Sequence, residues 1–272
     1  MNEMKGNSMA VFNSNDIYPV SADSELPFEQ HRDIFHLTGI DQEETILLLY
    51  PPSKDDKTRE ILFIRKSDNH TKVWEGEKLS KKQANELSGI DSIYFIDDFK
   101  DILSSIATKV DTFYINKNEH YRANSPVETR EDRFISWLLK KYPAHNVAKS
   151  NPILQRQRSI KHPYEIDQIK RACEITGKGF NRVLKFIKPN IWEYEIEAEF
   201  IHEFINNSSK GFAYSPIIAS GNDNNVLHYI KNNKKCKSGE LILMDVGAEY
   251  GNYSSDICLL YTSDAADDWF CV

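Results

Sequence analysis

The chain has 272 residues, 40% of them hydrophobic and 11% aromatic, enough for one large or two ordinary folded domains, and general disorder is excluded. A formal net charge of −7 with no basic stripe argues against nucleic acid as a partner, and the longest aliphatic run, Ile46 to Leu49, is far short of a membrane span of roughly 20 residues. The polar opening MNEMKGNSMAVFNSND lacks the apolar stretch of a signal peptide, so the chain reads as cytoplasmic. Its four scattered cysteines (Cys173, Cys236, Cys258, Cys271), with no C-x-x-C, read as reduced structural thiols.

The first half alternates strand and helix signals. Candidate strands are Thr45 to Tyr50, Glu60 to Arg65, Ser92 to Ile96 and Thr112 to Ile115. Candidate helices are Lys81 to Leu87, Asp98 to Thr108, and Glu128 to Lys141, the last with Phe134, Trp137, Leu138 and Lys141 on one face. This is an α/β pattern. The segment from Pro143 to Pro163 carries three prolines and no clear period, and the domain boundary is placed within it, with residues 1–150 forming the first domain.

Two strong helices follow. Pro163 suits the first turn of a helix whose stripe is Ile166, Ile169, Cys173, Thr176, Phe180, Val183 and Ile187, ended by Pro189. A second helix is expected from Asn190, as a cap with Glu193 its capping-box partner, and Ile196, Phe200 and Phe204 form its core stripe. An extended stretch from Ala213 to Ala219 leads to SGNDNN, Ser220 to Asn225, whose residue types favour a surface turn. His228 follows it. A histidine between Leu227 and Tyr229 is more often a half-buried structural residue than a catalytic one, and it gains interest only if it faces a carboxylate cluster.

The stretch LILMDVGAEYGNYSSD, Leu241 to Asp256, supplies such a cluster. With Tyr250-Gly251 as a two-residue hairpin loop, Asp245 falls directly opposite Asp256. Opposed like charges destabilise a hairpin unless a shared proton or a cation compensates, and a pair of divalent metals would use both carboxylates. A solvated hairpin, or a different register, remains the competing reading.

The order G-N-x-N-x-x-L-H-Y, then D-V-G-A-E-Y-x-x-Y-x-S-D, resembles the aminopeptidase P group of the pita-bread metallopeptidases. His228 and Asp245 are seventeen residues apart, and Asp245 and Asp256 eleven, as that resemblance requires. In the first half Asn13 to Asp16 (NSND), Phe28 to Glu44 (FEQHRDIFHLTGIDQEE) and Lys72 to Ser80 (KVWEGEKLS) resemble the N-terminal domain of the same group. The resemblance implies an α/β chain: a creatinase/aminopeptidase P-like N-terminal domain, residues 1–150, followed by the first part of a pita-bread α+β domain, residues 151–256.

It implies a metal-dependent aminopeptidase acting on peptides with proline at the second position. Asp245 and Asp256 would be metal ligands, with Mn2+ the usual ion and cobalt or zinc as alternatives, and His228 would be a catalytic residue on the substrate side. A homo-oligomer is implied, and no nucleic acid or membrane. The family also needs a histidine and two glutamates beyond the second aspartate, whereas the closing ICLLYTSDAADDWFCV contains neither residue type and does not resemble the family. Residues 257–272 are therefore expected to be a non-native tail on a truncated chain that lacks the later ligands. A non-catalytic peptide- or partner-binding protein on the same scaffold is the alternative. A metal-free creatine amidinohydrolase relative is disfavoured by the paired aspartates.

Overall fold

The computed structural model describes residues 1–117 and 126–262, so Cys271 and the closing residues 263–272 lie outside the described part. The chain divides into two compact units, Met1–Ile160 and Lys161 onward.

The first unit is built on a six-stranded mixed sheet. Its strands are β1 (Ser8–Asn13), β2 (Ile46–Leu49), β3 (Glu60–Ile64), β4 (Ser92–Phe95), β5 (Thr112–Ile115) and β6 (Asn146–Lys149), in the spatial order β4-β3-β2-β1-β5-β6. β1 runs antiparallel to β2 and parallel to β5. Alternation of side chains divides the strands between two cores. Met9, Val11, Leu48 and Phe63 meet Leu103 and Leu138 of helices α3 (Phe99–Ala107) and α4 (Arg130–Lys141) on one face. Phe12, Leu47, Leu62 and Ile64 meet Ile34, Ala84 and Leu154 on the other, from α1 (Arg32–Thr38), α2 (Lys81–Ser88) and α5 (Asn151–Ser159).

The four expected strands are present, but β1, all six residues of which are buried, emerges from a segment read only as polar. A strand covered on both faces shows no alternation, and short polar flanks hide it. The boundary is also later than residue 150. Pro152 sits in the first turn of α5 and Leu154, 4% exposed, anchors that helix to the first unit. A helix held by one buried side chain leaves no period to read.

The second unit starts with α6 (Pro163–Phe186) and α7 (Glu193–Asn206), as expected in number and order. The buried stripe of α6 is Ala172, Ile175, Thr176, Gly179, Phe180 and Val183, whereas Ile166 and Cys173 are exposed. Small residues decide this face. A Cβ at Gly179 would lie 2.8 Å from ring atoms of both Phe200 and Phe204, so glycine there lets the helices close, and Phe180 packs edge-on to Phe200 at 5.0 Å between centroids. The start of α7 also differs from expectation. Asn190 adopts φ +74° and donates its N–H to the Cys236 carbonyl, while the Glu195 carboxylate accepts the Trp192 N–H at 2.6 Å and closes the helix start. Glu193 is thereby left available for other partners.

Two small sheets complete the unit. β8 (Ile217–Ser220), β9 (Leu241–Val246) and β12 (Ile257–Thr262) form one in the order β8-β9-β12, and β7 (Gly211–Phe212), β10 (Ala248–Tyr250) and β11 (Tyr253–Ser254) form the other in the order β11-β10-β7. One long hairpin contributes to both, bending at Gly247. The expected foreign segment thus begins as a strand paired with β9, although it lacks alternating burial and leaves Leu259 and Leu260 exposed. Among the described residues no helix is long and apolar enough to cross a membrane, and Cys173, Cys236 and Cys258 are free thiols. Burial pushes the Cys236 thiol up to about 11, the Glu193 charge adding to it.

Candidate metal centre

The hairpin turns at Gly251-Asn252, both with positive φ (+58° and +67°), as a two-residue turn matching strand twist requires. That moves the turn by one residue from Tyr250-Gly251 and the register by two. Asp245 is therefore opposite Cys258, and Val246 opposite Ile257, rather than Asp245 opposite Asp256. A shift of two preserves the face on which each side chain stands, whereas a shift of one would have separated the aspartates.

They still meet, as diagonal neighbours with Tyr214 between them. The Tyr214 hydroxyl lies 2.7 Å from Asp245 Oδ1 and 3.0 Å from Asp256 Oδ1. Asp245 is half-buried and Asp256 exposed. Tyr214 follows β7 in the chain, and the Ala213 N–H donates to the Gly247 carbonyl at 2.8 Å, so the backbone that carries the tyrosine is tied to the bend in the hairpin.

The bend itself is built on close approach. A Cβ at Gly247 would sit 2.0 Å from the Ser255 carbonyl oxygen, which no side chain tolerates. Ala248 N–H donates to Thr176 Oγ1 at 2.9 Å and to Ser255 Oγ at 3.0 Å, and the two hydroxyls are 2.7 Å apart, so the crossing is pinned to α6. The aspartates flank this pinned crossing, one on each strand, and their spacing is a property of the fold.

The electrostatics of the pair are unbalanced. A phenol carries one proton, so it satisfies one carboxylate at a time and turns a lone pair toward the other. Burial first, and then its contacts with Asp245 and Asp256, push the Tyr214 hydroxyl well above its ordinary range; Cys258 is raised by burial and by the same two charges. Convergent hard carboxylate oxygens with too few protons between them form a donor set that fits a hard divalent cation. The two aspartates would hold such an ion. Among the described residues no group of three or more His, Cys, Asp or Glu side chains converges in this way, here or elsewhere.

His228 stands apart from this pair in its contacts. It is exposed, in a turn just after the 3-10 helix Gly221–Asn225, and the hydrogen bonds of Asp245 and Asp256 are to Tyr214. Tyr214 itself was not legible as a site residue. Nothing in FAYSP distinguishes it from the other twelve tyrosines of the chain, since its role depends on a contact 31 residues away.

The arrangement of an α/β unit followed in the chain by a unit carrying a bent hairpin with two converging carboxylates is one that known proteins share. Residues 1–114 match Aminopeptidase P, N-terminal domain, and residues 167–269 match Metallopeptidase family M24.

Its relatives include the Xaa-Pro aminopeptidase of Escherichia coli (strain K12), 30% identical over 87% of this chain and 54% of that protein. Xaa-Pro aminopeptidase 3 of Homo sapiens is 28% identical over 90% of this chain and 48% of that one. Among solved structures, aminopeptidase PepP of Pseudomonas aeruginosa has a TM-score of 0.85 at 26% identity, covering 97% of this chain and 60% of that one. A zinc-substituted E. coli aminopeptidase P in complex with product has a TM-score of 0.84 at 27% identity, with the same coverage. The chain spans about half the length of the curated relatives it matches.

Proposed function

We propose that the chain carries the N-terminal domain and the opening of the catalytic domain of a metal-dependent aminopeptidase that releases an N-terminal residue preceding proline. The observation that carries this reading is the convergence of Asp245 and Asp256 on one hydroxyl, a charge excess that a divalent cation relieves. Mn2+ is the proposed ion, in a pair, with cobalt or zinc as substitutes. Two aspartates cannot saturate hard cations that take about six ligands, so water fills the remaining positions on this chain and affinity is weak.

When bound, the metal supplies water activation and polarisation of the scissile carbonyl. The chain's own residues do the rest. Asp245 and Asp256 orient the centre, Tyr214 holds a proton between them, and His228 donates or accepts a hydrogen bond on the substrate side. Peptides with proline at the second position are the proposed substrates, and a cytoplasmic homo-oligomer the proposed setting. The match to Metallopeptidase family M24 and the similarity to a zinc-substituted aminopeptidase P in complex with product support the use of a divalent metal.

Titration calorimetry of the chain with Mn2+ tests the site. Weak saturable binding that disappears in both Asp245→Asn and Asp256→Asn is the expected result. Binding that persists unchanged in both variants, or is absent from the unmodified chain, overturns the assignment. Mn2+-dependent cleavage of a Gly-Pro peptide, lowered in His228→Gln, tests the reaction.

A further inference from the structure

Glu193 is 0% exposed, and its carboxylate is met by four donors, two backbone N–H groups and two hydroxyls. Oε1 accepts the Ser220 N–H at 2.8 Å and the Ser220 hydroxyl at 2.7 Å. Oε2 accepts the Tyr229 hydroxyl at 2.8 Å and the Lys234 N–H at 2.9 Å. A buried carboxylate is costly unless its lone pairs are used, and here about four lone-pair positions meet four protons. An amide in its place would turn two N–H groups toward two of those donors. The site is therefore built for the ionised acid and not for helix capping, which Glu195 already performs.

The donors have a common address. Ser220 ends β8, and Tyr229 and Lys234 belong to the run 221–235 that leads to β9, the segment carrying His228. After the 3-10 turn Gly221–Asn225 this run is irregular until Lys234 and Lys235, where the backbone bridges to Glu193 and Trp192, and in the stretch before that bridge Val226, Leu227 and Ile230 are exposed, Leu227 at 90%. The pose of 226–233 therefore depends on side-chain tethers. One helical turn after Glu193, Glu197 accepts from Asn232 Nδ2 at 2.9 Å, while Asn232 Oδ1 accepts the Ile218 N–H at 3.0 Å. Lys235 closes the segment over the Trp192 ring at 5.2 Å. Tyr229 is the immediate neighbour of His228, and adjacent Cα atoms are about 3.8 Å apart, so fixing the tyrosine hydroxyl fixes the backbone that aims the imidazole.

We propose that Glu193 is a positioning residue of the peptidase site: through Tyr229 and Lys234 its buried carboxylate holds the 226–235 segment in the pose that presents His228. The proposal rests on the substrate-side role given to His228 above. Glu193 touches neither metal ligand nor substrate and acts through the loop.

The test is nuclear magnetic resonance of the full chain with labelled histidine, the His228 ring signal being identified by its loss in His228→Gln. In Glu193→Gln, that signal shifts or broadens and amide exchange at Ser220 and Lys234 accelerates by about tenfold or more, while α6 and β9 keep their protection. Tyr229→Phe removes one tether without burying an amide, and gives the same His228 signature with smaller exchange changes; it decides the matter if Glu193→Gln does not fold. An unaltered His228 signal in Tyr229→Phe, or a loss of protection spread evenly over the second unit in Glu193→Gln, overturns the proposal. Titrating a Gly-Pro dipeptide into the unmodified chain already saturated with diamagnetic Zn2+ separates the two readings. A His228 signal that responds to Glu193→Gln but not to the dipeptide overturns His228's substrate role and, with it, the functional part of this proposal, while the tether itself stands.

Discussion

Asp245 and Asp256 are diagonal neighbours across the bent hairpin, each with one carboxylate oxygen within hydrogen-bond distance of the Tyr214 hydroxyl. With one proton for two charges, the tyrosine holds together a pair that would otherwise repel, and a cation can take over that task.

Tyr214→Phe isolates this contribution. A hydrogen bond to a charged acceptor is worth about 1.5–3 kcal/mol, so the metal-free second unit should lose roughly that much stability in urea unfolding. Added Mn2+ should recover more stability in the variant than in the unmodified chain, because the cation then neutralises the pair alone. Equal stability of the two metal-free proteins would show that the tyrosine is incidental.

Gly247→Ala places a methyl group 2.0 Å from the Ser255 carbonyl, where backbone must move. Overpacking of this kind costs about 1–3 kcal/mol and occasionally more, and this position should lie at the upper end. The Thr176–Ser255–Ala248 contacts would be strained together, so Mn2+ affinity should fall with stability. Calorimetric melting and metal titration of the same sample check both.

His31 makes the first unit acid-sensitive. Burial, chiefly, holds its imidazole below the ordinary histidine range, with Arg158 and Arg32 adding to the effect against the opposing pull of Asp33, and the neutral Nδ1 accepts the Asp33 N–H at 3.3 Å. Because the folded value is depressed, its contribution is present above the ordinary value near 6.5 and is lost as pH falls through the folded value. Urea unfolding between pH 7.5 and 5 should show declining stability, and His31→Asn should flatten that slope. A slope unaltered by the substitution would assign the acid sensitivity to other groups.

Leu154→Ala tests where the first unit ends. Removing a buried leucine side chain costs about 2–5 kcal/mol, so a 1–160 fragment should be destabilised by that amount, and a 1–150 fragment, which lacks α5, at least as strongly. Equal urea midpoints for the 1–150 and 1–160 fragments would return the boundary to residue 150.

Much of this protein was determined by the sequence alone. Short apolar runs such as TILLLY and EILFIR, and the three- and four-residue steps of Phe180, Val183 and Ile187, are local signals, because strand and helix periods are written within a single element. The spacing of Asp245 and Asp256 on either side of one turn was enough to expect their convergence for a similar reason: a hairpin is a local structure, and an error of two residues in register leaves both side chains on the same face. Tertiary structure decided what local periods do not encode. β1 is a central strand because neighbours from three distant segments cover it, α5 joins the first unit through Leu154, and Gly179 outweighs Cys173 on α6 because Phe200 and Phe204 need the space. Tyr214 and Glu193 become functional candidates only through contacts with residues more than 25 positions away, and a hydrogen bond formed on folding leaves no periodic trace in the chain.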